Sequence, residues 1–139
     1  MKNIIVLSAI FSFAFFAALS GGCSSGKQTA ENASLGSTAW VLESLGSVTE
    51  GASKITLKFS DDNKFSGNST CNSYFGSFKS TESAVTFSNI GSTKMMCDEM
   101  NLETDYFNML RKADKYTISE NELVLYTSGT KIAVFKVKK

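Results

Sequence analysis

The sequence predicts a mainly β domain of the α+β class: an antiparallel, barrel-like, strongly bent sheet of about seven to eight strands with one amphipathic helix packed on it. Two observations carry this. Apolar and polar residues alternate in short blocks separated by turn residues over most of the chain. A single segment, Glu99 to Lys112, follows the helical period instead.

Taken in order, Ala39 to Leu45 gives the first strand, and Ile55, Leu57 and Phe59 line one face of the next. Asp61-Asp62-Asn63 makes the turn into Phe65 and Gly67. Tyr74 to Phe78, Val85 to Ile90, Tyr116 to Ile118, Leu123 to Tyr126 and Ile132 to Val137 are the further strands, joined by turns such as Glu120-Asn121 and Ser128-Gly129. Gly67 and Gly76 mark bends. The last hairpin is apolar on both faces, so one face must meet the helix, a partner or a ligand.

The helix begins after Asp98, an N-cap residue type. On a helical wheel Met100, Leu102, Tyr106, Phe107, Met109 and Leu110 fall on one half, and Asn101, Thr104, Asp105, Asn108, Arg111 and Lys112 on the other. Glu103 alone breaks this segregation. A carboxylate on the apolar half is costly unless hydrogen-bonded or paired, so Glu103 is expected to be buried and to accept hydrogen bonds, with the Thr93 to Cys97 connection as their source.

The chain opens with Met1-Lys2-Asn3, a nearly unbroken apolar run from Ile4 to Leu19, and the small residues Ser20-Gly21-Gly22 before Cys23. This is the pattern of a secretory signal, and the run is shorter than the roughly 20 residues of a membrane-spanning helix. Small residues abutting a cysteine resemble the lipobox of bacterial lipoproteins, although Leu19 stands four positions before Cys23 where that box has leucine at three. The resemblance implies a signal peptide over 1–22 and acylation of Cys23. Residues 23–36 are small and polar and read as a lipidated flexible tether. Ser24 after the modified cysteine is compatible with the outer membrane in such proteins. Residues 37–139 then form one domain of roughly one hundred residues.

Composition excludes several roles. The chain has no histidine, so serine and cysteine nucleophiles lack their usual base and no histidine-based metal site can form. A net charge of +1 that includes Lys2, with Arg111 the sole arginine, makes a poor electrostatic partner for nucleic acid. An enzyme is not expected, nor a cofactor. In an oxidising compartment Cys71 and Cys97 read as a structural pair; they are far apart in sequence, unlike an activated redox Cys-x-x-Cys. Met95, Met96, Cys97 and Met100 offer soft ligands for Cu(I), but methionines beside an apolar helix commonly fill core space and a bridged Cys97 has no thiolate to give. No metal site is therefore expected.

The order Trp40-Val41-Leu42, Gly67 through Cys71-Asn72 to Gly76, Thr93-Lys94-Met95-Met96-Cys97, Met100, Glu103 and Leu110, then Leu123-Val124-Leu125 and Ile132 to Phe135, resembles the META domain of HslJ-like envelope proteins. The likeness spans essentially the whole domain. It departs at Asp98, where that pattern often has proline. The resemblance implies a small barrel-like sheet with one helix in a secreted or lipid-anchored bacterial protein, with Trp40, Gly67, Cys71, Asn72, Gly76, Thr93, Met95, Cys97, Met100, Glu103 and Leu110 as structural motif positions. Family associations with heat induction, novobiocin resistance and motility define no molecular activity. The fold it implies is also similar to that of lipid-binding secretin pilotins, an analogy at the level of architecture.

Two functions are expected from this reading. The first is a non-catalytic, lipid-anchored envelope domain that binds a protein or envelope component, in a stress setting. The alternative is a small-molecule or lipid carrier using an incompletely closed barrel. A carrier needs an apolar cavity of several hundred Å³, whereas an interaction module needs an exposed apolar patch or open edge.

Overall fold

The computed structural model describes residues 35–36, 38–98 and 100–139. The expected signal peptide, Cys23 and tether residues 23–34 lie outside the described residues, as do Ser37 and Glu99.

Eight antiparallel strands follow one another: β1 Ala39–Leu45, β2 Thr56–Ser60, β3 Lys64–Ser69, β4 Asn72–Ser80, β5 Val85–Ser92, β6 Lys115–Ser119, β7 Glu122–Thr127 and β8 Thr130–Val137. A short 3₁₀ turn, Ala52–Lys54, precedes β2, and the helix α1, Met100–Lys112, stands between β5 and β6. The sheet order is β5-β4-β3-β2-β1-β8-β7-β6. Every ladder but β1 with β8 therefore joins sequence neighbours, as tight hairpins dictate.

The sheet curls into a half-barrel, and its two edge strands touch where each begins. Val85 N–H donates to Asp114 O at 3.1 Å and Tyr116 N–H to Ser83 O at 2.8 Å, around an isolated Ala84–Lys115 bridge. Register shifts between Leu42 and Ser44, between Phe75 and Ser77 and between Leu125 and Tyr126 insert extra residues that bend and twist the strands. At the second of these, Asn89 adopts φ 52° on β5. Gly76 lies on β4 opposite that irregularity, so the expected bend falls there. A Cβ on Gly76 would lie 2.4 Å from the Phe65 ring, which covers the position glycine leaves bare.

The barrel interior is filled with rings. Trp40, Phe59, Phe65, Tyr74, Tyr106 and Phe135 are each almost wholly buried, and edge-on contacts link Phe65 to Phe87 at 5.1 Å and Tyr74 to Tyr106 at 5.5 Å between ring centres. The α1 face bearing Tyr106, Phe107, Met109 and Leu110 closes onto this core. The inward side of the last hairpin, Leu123, Leu125, Ala133 and Phe135, belongs to the same core, so its apolar face meets the helix.

The chain reaches the sheet at a defined place. Leu35 is buried in the core, and Gly36 pairs in parallel with Phe59 near the end of β2. Ile55, just before β2, instead pairs with Ser69 at the end of β3. The N-terminal connection and the β3–β4 turn thus sit at opposite ends of β2.

Candidate functional site

The motif residues converge where the β3–β4 turn meets the start of α1. Ser69 pairs with Asn72 across the hairpin, leaving Thr70 and Cys71 as the two-residue loop. Cys71 N–H donates to Ser69 O at 2.9 Å, and Thr70 sits at φ 68°. Such a tight three-residue turn is strained, the more so on a β-branched residue. Thr70 Oγ1 is buried there without a partner among the described residues.

Gly67 makes the close approach behind this turn possible. A Cβ on it would lie 1.9 Å from Thr56 O and 2.9 Å from the Tyr74 ring. The Tyr74 hydroxyl donates to that same Thr56 carbonyl at 2.6 Å and takes a hydrogen bond from the Tyr106 hydroxyl at 2.6 Å, because the carbonyl can only accept. Burial raises the pKa of Tyr74 well above the ordinary phenol value, and the neighbouring Tyr106 raises it further. Burial also raises Tyr106.

Glu103, on the first turn of α1, is only 7 % exposed. Its Oε2 accepts from Ser69 Oγ at 2.7 Å and from Asn72 N–H at 3.3 Å, and its Oε1 accepts from Asn72 Nδ2 at 2.9 Å. The expectation that Glu103 is buried and hydrogen-bonded holds; the expected source of donors does not. They come from the β3–β4 turn, because the polar groups of the connection after β5 are taken by Asn72. Asn72 Oδ1 accepts from Thr93 Oγ1 at 2.8 Å and Met95 N–H at 2.7 Å, and its second amide proton goes to Met95 O at 3.2 Å. The Asn72 side chain therefore makes the four hydrogen bonds an amide can make.

Two further ties fix the strap of residues 93–98. Thr93 N–H donates to Ser73 O at 3.0 Å and Ser73 N–H to Thr93 Oγ1 at 3.2 Å, extending the β4–β5 ladder by one step. Cys71 and Cys97 form a disulfide with Cα atoms 6.3 Å apart, between the hairpin turn and the residues leading into α1. The turn, the strap and the helix are thus clasped by one asparagine, one glutamate and one disulfide. The signal Cys-Asn, Thr-x-Met-x-Cys and Glu pointed to this place; the partnership of Ser69 with Glu103 was missed, since nothing marks a serine among many.

Other motif residues divide between core and surface. Trp40 and Leu110 are fully buried, with Trp40 Nε1 lacking a partner among the described residues. Met95, Met96 and Met100 do not fill core space as expected: they are 57, 86 and 38 % exposed. Met100 lies at the rim because α1 begins there, before its apolar face reaches the barrel. These three methionines line a cleft of about 300 Å³ together with Asn72, Thr93, Lys94, Glu103 and Phe107. A larger groove of about 560 Å³ runs between the second half of α1 and the segments around Val48 and Lys131. Among the described residues no group of three His, Cys, Asp or Glu side chains is placed to hold a metal, and no helix is long and apolar enough to cross a membrane.

Solved structures share this architecture. An NMR structure of a protein from Burkholderia xenovorans is 26 % identical with a TM-score of 0.62, over 79 % of this chain and 88 % of that one. The crystal structure of a DUF4847 family protein from Bacteroides vulgatus is 15 % identical with a TM-score of 0.60, over 76 % and 95 %, and shares the fold alone. No curated protein matches the chain. The META domain profile matches residues 33–139, which takes in the described sheet, the helix and every motif residue of the clasp, and the chain belongs to the META domain family.

Proposed function

We propose that this is a non-catalytic, lipid-anchored domain of the bacterial cell envelope that binds a protein or envelope component through the methionine-lined surface beside the clasp. The observation that carries this reading is the exposure of Met96, at 86 %, beside Met95 and Met100. Flexible, polarizable methionine side chains left on a surface suit an adaptable binding face. The polar side chains of the motif are spent on one another, which leaves them a structural task and no proton to move. Anchoring through acylated Cys23, with the outer membrane as the address, continues the sequence reading. A tether that joins the fold near Phe59 leaves the methionine face at the other end of β2, free to meet a partner. A stress setting rests on the family resemblance alone.

A carrier is the weaker reading. Aromatic rings occupy the barrel interior, and the 560 Å³ groove is a surface feature bordered by Asp105, Lys112 and Lys131.

The test is a photo-crosslinking residue placed at position 96 or, as a control, at exposed Glu82, in cells making the full chain. Adducts specific to position 96 and lost when Met95 and Met100 become serine support the reading. The same adducts from both positions, or none from 96, overturn it. Cys23→Ser should release the domain into the soluble envelope fraction or stall its processing; a variant that stays on the membrane contradicts the anchor.

A further inference from the structure

Methionines beside an apolar helix ordinarily fill a core, and Met109 does so here at 7 % exposure. Met95, Met96 and Met100 do not, so packing gives no reason for three thioethers within six residues. All three line a cleft that Glu103 also lines.

Thioether sulfur is a soft, neutral ligand, and a set made only of thioethers favours Cu(I) over Zn(II), Mg(II) or Ca(II). The competing ligands are absent or occupied: the chain has no histidine, and Cys71 and Cys97 are bonded to each other. The clasp also holds two of the three ligand-bearing backbones. Met95 is bonded to Asn72 through both its N–H and its carbonyl, at 2.7 and 3.2 Å, and Met100 is the first residue of α1. A cation here meets opposition from Lys94 at the cleft wall and from the positive end of α1. Glu103 supplies the balancing charge, since its hydrogen-bond partners among the described residues, Ser69 and Asn72, are both neutral.

We propose that Met95, Met96 and Met100 form a thioether site for a soft monovalent cation, Cu(I), beside the Glu103 carboxylate. The step is ligation alone: the ion arrives and leaves as Cu(I), with no change of oxidation state and no proton released. The site uses the same side chains as the proposed docking face but does not depend on that reading.

The test uses the exported full chain with its disulfide formed and any thiol at Cys23 alkylated. Ag(I), a redox-inert probe, is titrated in while the methionine methyl NMR signals are followed. Cu(I) under ascorbate is then offered in competition with a chromophoric Cu(I) chelator. The methyl signals of Met95, Met96 and Met100 should move together and saturate at one ion per chain, with Met109 unmoved. Zn(II) should not displace the Cu(I). The combined variant Met95→Leu, Met96→Leu, Met100→Leu keeps the apolar bulk and should weaken Cu(I) uptake by roughly tenfold or more. The proposal is overturned if the three methyls fail to saturate together, if Zn(II) competes, or if the leucine variant with its disulfide intact binds Cu(I) as the parent does.

Discussion

Asn72 holds both carboxylate oxygens of Glu103, its side-chain amide bonding Oε1 at 2.9 Å and its backbone N–H bonding Oε2 at 3.3 Å. One residue of a hairpin turn thereby fixes the first turn of the helix from two directions. With its remaining amide proton and its oxygen it fixes the strap between them.

Removing the carboxylate should cost according to what replaces it. Glu103→Leu leaves two Asn72 N–H groups without an acceptor, at ~1–3 kcal/mol for each buried group left unpaired, while the Ser69 hydroxyl can turn to the Asn72 carbonyl oxygen 3.0 Å away. Glu103→Gln keeps one acceptor oxygen and should be clearly milder. Equilibrium urea unfolding of both variants beside the parent checks the order; equal stability of all three would mean that the carboxylate contributes nothing.

The disulfide closes a separation of 26 residues. By the chain-entropy estimate that contributes ~3 kcal/mol. The double substitution Cys71→Ala, Cys97→Ala should lower the unfolding free energy by about that much, and two alkylatable thiols in the natively exported protein would show that the bridge is not formed.

Thr70 is a position where the native residue is not the most stable one. Its φ of 68° and its buried, unpartnered hydroxyl both count against threonine. Thr70→Gly removes both faults and should stabilise the fold by ~1 kcal/mol, the strain of a left-handed β-branched residue less the entropy glycine adds to the unfolded chain. Thermal unfolding that shows a lower midpoint for the glycine variant would contradict this account of the turn.

The buried phenols predict an alkaline limit to stability. Tyr74 and Tyr106 both have pKa values raised by burial, while in the unfolded chain a phenol loses its proton near pH ~10. Above that pH the unfolded state binds fewer protons than the folded one, so stability falls as pH rises. It is fully present below pH ~10. Tyr106→Phe removes one of the two titrating groups and should flatten the decline above pH ~10, at a cost of ~1 kcal/mol at neutral pH for the lost hydrogen bond. A pH profile of unfolding free energy that is unchanged by the substitution would count against it.

Period-two alternation made the strands and their hairpin order legible, because each strand buries one face and the pleat alternates. Its limits show at β3 and β4, which run on to Ser69 and Asn72. Those ends carry serine, asparagine and glycine, which alternation cannot distinguish from loop. Glu103 stood out because it interrupts an apolar helix face; its partners did not, since hydrogen bonding between residues 31 and 34 positions apart leaves no local pattern. The exposed methionines inverted the expectation drawn from composition. Whether a methionine fills a gap or faces water is decided by where the helix starts relative to the barrel, which no periodicity records.

The Asn72–Glu103 pair is a structural clasp between the hairpin turn and the helix. A double-mutant cycle of Asn72→Ala and Glu103→Leu, read by equilibrium unfolding with the disulfide intact, tests it most directly. Residues sharing a buried network couple by ~0.5–3 kcal/mol; Asn72→Ala removes the Nδ2–Oε1 bond and keeps the backbone N–H bond, so coupling within that range is expected, the double variant losing less than the sum of the two singles. Losses that add to within ~0.5 kcal/mol would mean that the two residues act independently, and would contradict the clasp.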